Sequence, residues 1–93
     1  MILLYFFHTD WCTKCKTFER LFDNGDLDIP NVVSVDADKA SEALLKTWNI
    51  KALPTFILVN QDHGEKELGR LVSPETRGEL LDWYQDLTLK MED

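Results

Sequence analysis

The stretch HTDWCTKCKTF, residues 8–18, holds Cys12 and Cys15, and the chain has no other cysteine. Two thiols three positions apart, just after an apolar run and at the opening of a helical pattern, decide how the rest is read. Cysteines at i and i+3 in the first turn of a helix are neighbours, so their sulfurs can close a small disulfide ring with little backbone movement. Cys12 falls where the first backbone N–H groups lack intrahelical partners and the helix dipole is positive. That environment favours the thiolate and lowers the pKa below the free value of ~8.5. Lys14 and Lys16 add positive charge nearby. A thiolate is the nucleophile of disulfide exchange. Cys15 lies one turn deeper, on a stripe shared with Phe18, and is expected to be shielded. The asymmetry predicts roles: Cys12, at the surface, attacks, and Cys15 resolves the mixed disulfide.

Working outward, Ile2 to Phe7 is a continuous apolar run that suits a strand buried on both faces. From Cys12 the apolar residues Cys15, Phe18, Leu21 and Phe22 recur at helical spacing, and Asp23-Asn24-Gly25 stops the helix. Asp26 to Asn31 is a connection containing Pro30, and Val32 to Val35 is a short β-branched strand. Asp36 or Asp38 is predicted to cap a second helix with its apolar face on Ala40, Leu44, Leu45 and Trp48, ended by a left-handed Asn49. Thr55 to Val59 reads as another fully apolar strand. A hairpin turn over Asn60 to Gly64 leads to the charged edge strand Glu65 to Val72. Ser73-Pro74-Glu75 supplies hydroxyl, proline and acid for a last helix start, with Leu80, Leu81, Tyr84 and Leu87 facing inward. The order β-α-β-α-β-β-α implies one α/β domain over residues 1–93. It has a central four-stranded mixed sheet, a right-handed parallel crossover and three helices distributed over both faces.

Trp11-Cys12-Thr13-Lys14-Cys15-Lys16 after an apolar strand resembles the active-site segment of thioredoxins, and Leu53-Pro54-Thr55 at the next apolar strand resembles that family's second hallmark. The likeness spans Ile2 to about Leu87. It implies the thioredoxin-like fold and a cis Pro54 facing the disulfide. It also implies a Leu53 backbone that pairs with a substrate chain, and protein-disulfide oxidoreductase activity working mainly as a reductant. Disulfide-containing proteins would be the substrates, and a reductase or glutathione the electron source. Trp11, Thr13, Lys14, Leu53, Pro54 and Thr55 are then the substrate-contacting residues. The chain departs from the family in three ways. Phe6 stands where many thioredoxins carry a buried acid, which leaves Asp10 as a nearby but more exposed proton acceptor. Thr13-Lys14 replaces Gly-Pro, and the family's extra N-terminal strand and helix are missing, giving a glutaredoxin-sized unit. Gly69 fits the family's glycine before the last helix, and Trp11 is a thioredoxin trait rather than a glutaredoxin one.

The formal net charge of −7 makes nucleic acid an unsuitable partner, since like charges repel. The opening MILLYFF lacks a basic leader and nothing approaches the ~18 apolar residues of a membrane span, so a cytoplasmic protein is expected; a monomer is expected because no apolar stripe is left over once the core is filled. No cofactor or metal is expected either: beside the two cysteines only His8 and His63 are available, short of a four-ligand zinc site. His63 reads as a solvated imidazole, His8 as a satisfied surface imidazole with tuning of the thiolate as its alternative, and Trp48 and Trp83 as core or half-buried residues. The competing reading is a glutaredoxin-like or redox-silent binding module, with a metal or a cluster shared between two chains as its variant.

Overall fold

The structure, a computed structural model, describes residues 1–62 and 64–91; the predicted hairpin turn falls partly, and His63 wholly, outside them. Four strands form one sheet: β1 (Ile2–His8), β2 (Val32–Asp36), β3 (Thr55–Asn60) and β4 (Lys66–Val72), in the order β2-β1-β3-β4. β1 runs parallel to β2, with Phe6 opposite Ser34, and antiparallel to β3, with Phe6 opposite Phe56. β3 and β4 are antiparallel, with a register shift between Leu58 and Val59. The two continuous apolar runs are thus the two inner strands, and the charged strand is an edge, as the pattern predicts.

Alternation along β1 divides the core. Leu4 and Phe6 face the side covered by α1 (Thr13–Asp23) and α3 (Arg77–Met91), where they meet Cys15, Phe18, Phe56, Leu58 and Leu80. Phe7, Ile57 and Val59 face the other side, against Leu45, Trp48 and Ile50, which brings α2 (Glu42–Thr47) there. The main core is aromatic: Phe56 stacks on Phe6 at 4.8 Å and 5° and takes Phe18 edge-on at 5.2 Å and 72°. Such pairs add about 0.5–1.5 kcal/mol beyond their buried area.

Two helix starts differ from the sequence expectation. α2 is capped by Ser41, whose Oγ accepts from Leu44 N–H at 3.1 Å. Asp36 instead closes a turn by accepting from Asp38 N–H at 2.9 Å. The later start shortens α2 to six residues and turns Leu44 toward solvent, leaving Leu45 and Trp48 to pack. α3 begins not at Ser73-Pro74-Glu75 but after Thr76, whose hydroxyl accepts from Glu79 N–H while the Glu79 carboxylate accepts from Glu75 N–H. This reciprocal arrangement resembles a capping box. Ser73 is not a cap: it has φ 50°, a left-handed conformation that glycine adopts freely and serine does not. Gly69, by contrast, lies within β4 beneath α3, where an added Cβ would sit 2.6 Å from Leu87 Cδ1. The stops at Asn24 and Gly25 (φ 79°) and the left-handed Asn49 (φ 55°) are as expected. Trp48 and Trp83 are half-buried against the two cores.

Arg70 on β4 ties the end of α2 to the sheet. Its Nη2 donates to Trp48 O at 2.9 Å and to Glu67 Oε1 at 2.7 Å, and its Nε donates to Glu67 Oε2 at 2.8 Å. Hydrogen bonds from Arg70, reinforced by its charge and opposed by partial burial, hold the Glu67 carboxyl below its usual range. A depressed folded pKa contributes stability that is present above the unfolded value of ~4.3 and is lost as pH falls through the lower folded value. Because Glu67 is partly exposed, the contribution is small. Arg70→Met is expected to lower stability at neutral pH by about 1 kcal/mol. It should also weaken the acid-side decline due to Glu67, as read from urea midpoints measured at a series of pH values.

Candidate active site

Cys12 is the N-cap of α1, with extended backbone (φ −87°, ψ 110°), and its carbonyl accepts the first helical bond from Lys16 N–H at 3.1 Å. Its sulfur stands where an N-cap oxygen normally would, accepting the Cys15 N–H at 3.2 Å. Cys12 and Cys15 form a disulfide, with Cα atoms 5.2 Å apart. The first turn of α1 contains no acid, so nothing there opposes negative charge on Cys12. A donated N–H and the positive end of the dipole both stabilise a sulfur anion.

Exposure separates the two sulfurs less sharply than expected. Cys12 is 8% accessible, nearly closed, and Cys15 is 0%. What accessibility Cys12 has opens onto a groove of about 260 Å³ whose lining includes Trp11, Ala37, Leu45, Ile50, Ala52 and Leu53. Trp11 is 71% exposed, and its indole Nε1 donates to Asp38 Oδ2 at 2.9 Å. Asp38, expected as a possible helix cap, therefore holds the aromatic at the mouth of the groove. The Leu53–Pro54 peptide is cis, and Pro54 is buried immediately before β3. Pro54 O accepts from Ser73 N–H at 2.7 Å, and the Thr55 hydroxyl donates to Ala52 O at 2.6 Å, so the proline segment is fixed from both sides. Thr13 is exposed at the start of α1. Lys14 is not a free cation: its Nζ donates to Ser73 Oγ at 3.0 Å and to Glu75 Oε1 at 2.6 Å.

Of the residues selected from sequence, Trp11, Cys12 and Leu53 share the groove, whereas Cys15, Pro54 and Thr55 are buried and do not line it. Lys14 reaches the β4–α3 connection instead. Sequence reasoning missed Asp38, Ser73 and Glu75 as neighbours of the site. It also missed Ala37, Leu45, Ile50 and Ala52 as its apolar lining. The only available signal was that a lysine between two cysteines needs an anion within reach of its long stem.

Phe6 fills the position of the missing acid with an apolar ring, 1% exposed. The titratable group that follows it on the same face of β1 is His8, whose ring centroid is 5.0 Å from that of Phe6. His8 is half-buried. Its Nε2 lies 2.7 Å from Ser34 Oγ. Its Nδ1 lies 2.7 Å from Glu19 Oε1, but outside hydrogen-bond geometry. Among the described residues no group of three or more His, Cys, Asp or Glu is placed to hold a metal, and no helix is long and apolar enough to cross a membrane.

A Cys-X-X-Cys disulfide at a helix N-terminus, with Leu53 of a cis-proline peptide lining the same groove as Cys12, defines a domain of the thiol–disulfide oxidoreductase class. The thioredoxin family model matches residues 1–86, and the chain belongs to that family. It is 30% identical over 87 residues to monothiol glutaredoxin-4 of Schizosaccharomyces pombe, covering 89% of this chain and 34% of that protein. It is also 30% identical over 76 residues to the TPR repeat-containing thioredoxin TDX of Arabidopsis thaliana, covering 80% and 19%. The chain therefore spans about a third of the first of these relatives and about a fifth of the second. Schistosoma mansoni thioredoxin superposes with a TM-score of 0.73 at 30% identity, covering 91% of this chain and 75% of that one. A Halobacterium salinarum thioredoxin mutant gives 0.74 at 22% identity, covering 94% and 74%, a likeness of fold.

Proposed function

We propose that this chain is a single-domain, monomeric cytoplasmic reductant of protein disulfides, with Cys12 as nucleophile and Cys15 as resolving thiol. The observation that carries the reading is the Cys15 N–H directed at the Cys12 sulfur, combined with complete closure of Cys15. In the reduced protein, Cys12 thiolate attacks one sulfur of a substrate disulfide. The new S–S bond joins protein and substrate, and the second substrate sulfur leaves as a thiolate that takes up a proton. Cys15 then loses its proton and attacks Cys12. The mixed disulfide breaks, the second substrate thiol is released, and two electrons have passed from the dithiol to the substrate. The groove beside Trp11 and Leu53 would hold the apolar flank of the substrate, and the backbone at Leu53 would pair with its chain. A reductase dithiol or two glutathione thiols would reset the disulfide.

Two measurements test this. Reduced protein regenerated by dithiothreitol should accelerate the precipitation of insulin chains. A thiolate absorbance titration should find one thiol dissociating well below the free value of ~8.5. A purified protein with a visible absorption band and no insulin activity would overturn the reading in favour of a cluster-bridged binding module.

A further inference from the structure

We propose that Glu75 weakens thiolate formation at Cys12 by holding Lys14, and thereby shifts the reduction potential in the reducing direction. Lys14 sits between the two cysteines in the first turn of α1, where a free ammonium would stabilise an anion on Cys12. Its ammonium is instead bound to the Glu75 carboxylate at 2.6 Å and to the Ser73 hydroxyl at 3.0 Å. Ser73 is itself anchored, its N–H bonded to Pro54 O at 2.7 Å. The latch thus joins the Cys-X-X-Cys turn to the β4–α3 connection beside the proline segment. When the disulfide is reduced, the Cys12 thiolate and the Glu75 carboxylate compete for one cation. As long as Glu75 is ionised, part of the lysine's field is cancelled at the sulfur. A less stabilised thiolate means a less stabilised reduced state, and so a more negative reduction potential. Glu75 touches neither sulfur. It is a positioning residue that acts through Lys14.

This inference rests on the reading of Cys12 as the attacking thiol, and the test separates the two. Glu75→Gln removes the competing charge at an exposed position. It is expected to raise the acid dissociation constant of Cys12 about threefold, the scale of an exposed charge pair. The reduction potential should become more oxidising by up to about 14 mV, which is that factor converted for a two-electron couple. Lys14→Met should shift both quantities the opposite way. In the Lys14→Met background, Glu75→Gln should then change neither. If Glu75→Gln has no effect in the parent protein, or the same effect with and without Lys14, the latch is overturned while the nucleophile assignment stands. If Cys12 in the parent protein dissociates like a free thiol, the nucleophile assignment fails and the latch fails with it.

Discussion

Cys15→Ser is expected to convert the protein into a disulfide trap. Cys12 keeps its N-cap position and the backbone N–H of residue 15, since that donor is independent of the side chain. The first step, attack on a substrate disulfide, therefore survives. The second step does not, because the only other thiol of the chain is gone. In the parent protein that thiol attacks from within the same helical turn, across Cα atoms 5.2 Å apart. Intramolecular attack of this kind has a very large effective concentration, so release of the mixed disulfide should slow by at least about 10³-fold. Mass spectrometry after exposure to insulin should show a covalent adduct on Cys12 that persists until dithiothreitol is added. Cys12→Ser should form no such adduct, because Cys15 is sealed from solvent. Equal adduct formation through Cys15 alone would reverse the assigned roles.

The parts of the molecule that were legible in the sequence are those with local or periodic causes. The two inner strands announce themselves as apolar runs because both of their faces are covered. The spacing of Cys12 and Cys15 and the stripe through Phe18 place one sulfur at a helix end and the other in the core. Phe6 could be recognised as a missing acid, but its use could not. Only the structure shows the ring stacked on Phe56 and packed against Phe22, so Phe6 serves core packing. The contacts of Lys14 with Glu75 and of Trp11 with Asp38 join residues 61 and 27 positions apart. No periodicity encodes such pairs, and each partner had a plausible local role as a helix-start residue. The same ambiguity misplaced the starts of α2 and α3. Asp36, Asp38 and Ser73 are all good capping residues by type, but the structure uses them in a turn, in holding Trp11 and in holding Lys14, and caps the helices with Ser41 and Thr76.

Phe56→Ala is expected to have the largest effect on stability, about 3–5 kcal/mol. Phe56 is fully buried near the start of β3, directly opposite Phe6 in the sheet. Its ring meets Phe6 face to face and Phe18 edge-on, with Phe22 at 6.4 Å. Phe18 and Phe22 belong to α1, so this ring is the prop on which the helix carrying both cysteines rests. Truncation leaves a cavity that three aromatic neighbours, each held by its own backbone, cannot close. Domains of this size have a stability toward the low end of about 5–15 kcal/mol, so the variant should be close to unfolding at 25 °C. Phe56→Leu retains most of the volume and should cost well under half as much. Urea midpoints of the two variants test the size of the effect, and the leucine variant tests its link to function. If α1 is held in place by this contact, Phe56→Leu should reduce insulin more slowly even under conditions where it is fully folded. A leucine variant with parental exchange rates would show that the helix is positioned instead by Cys15 and Leu80, which share the same cluster.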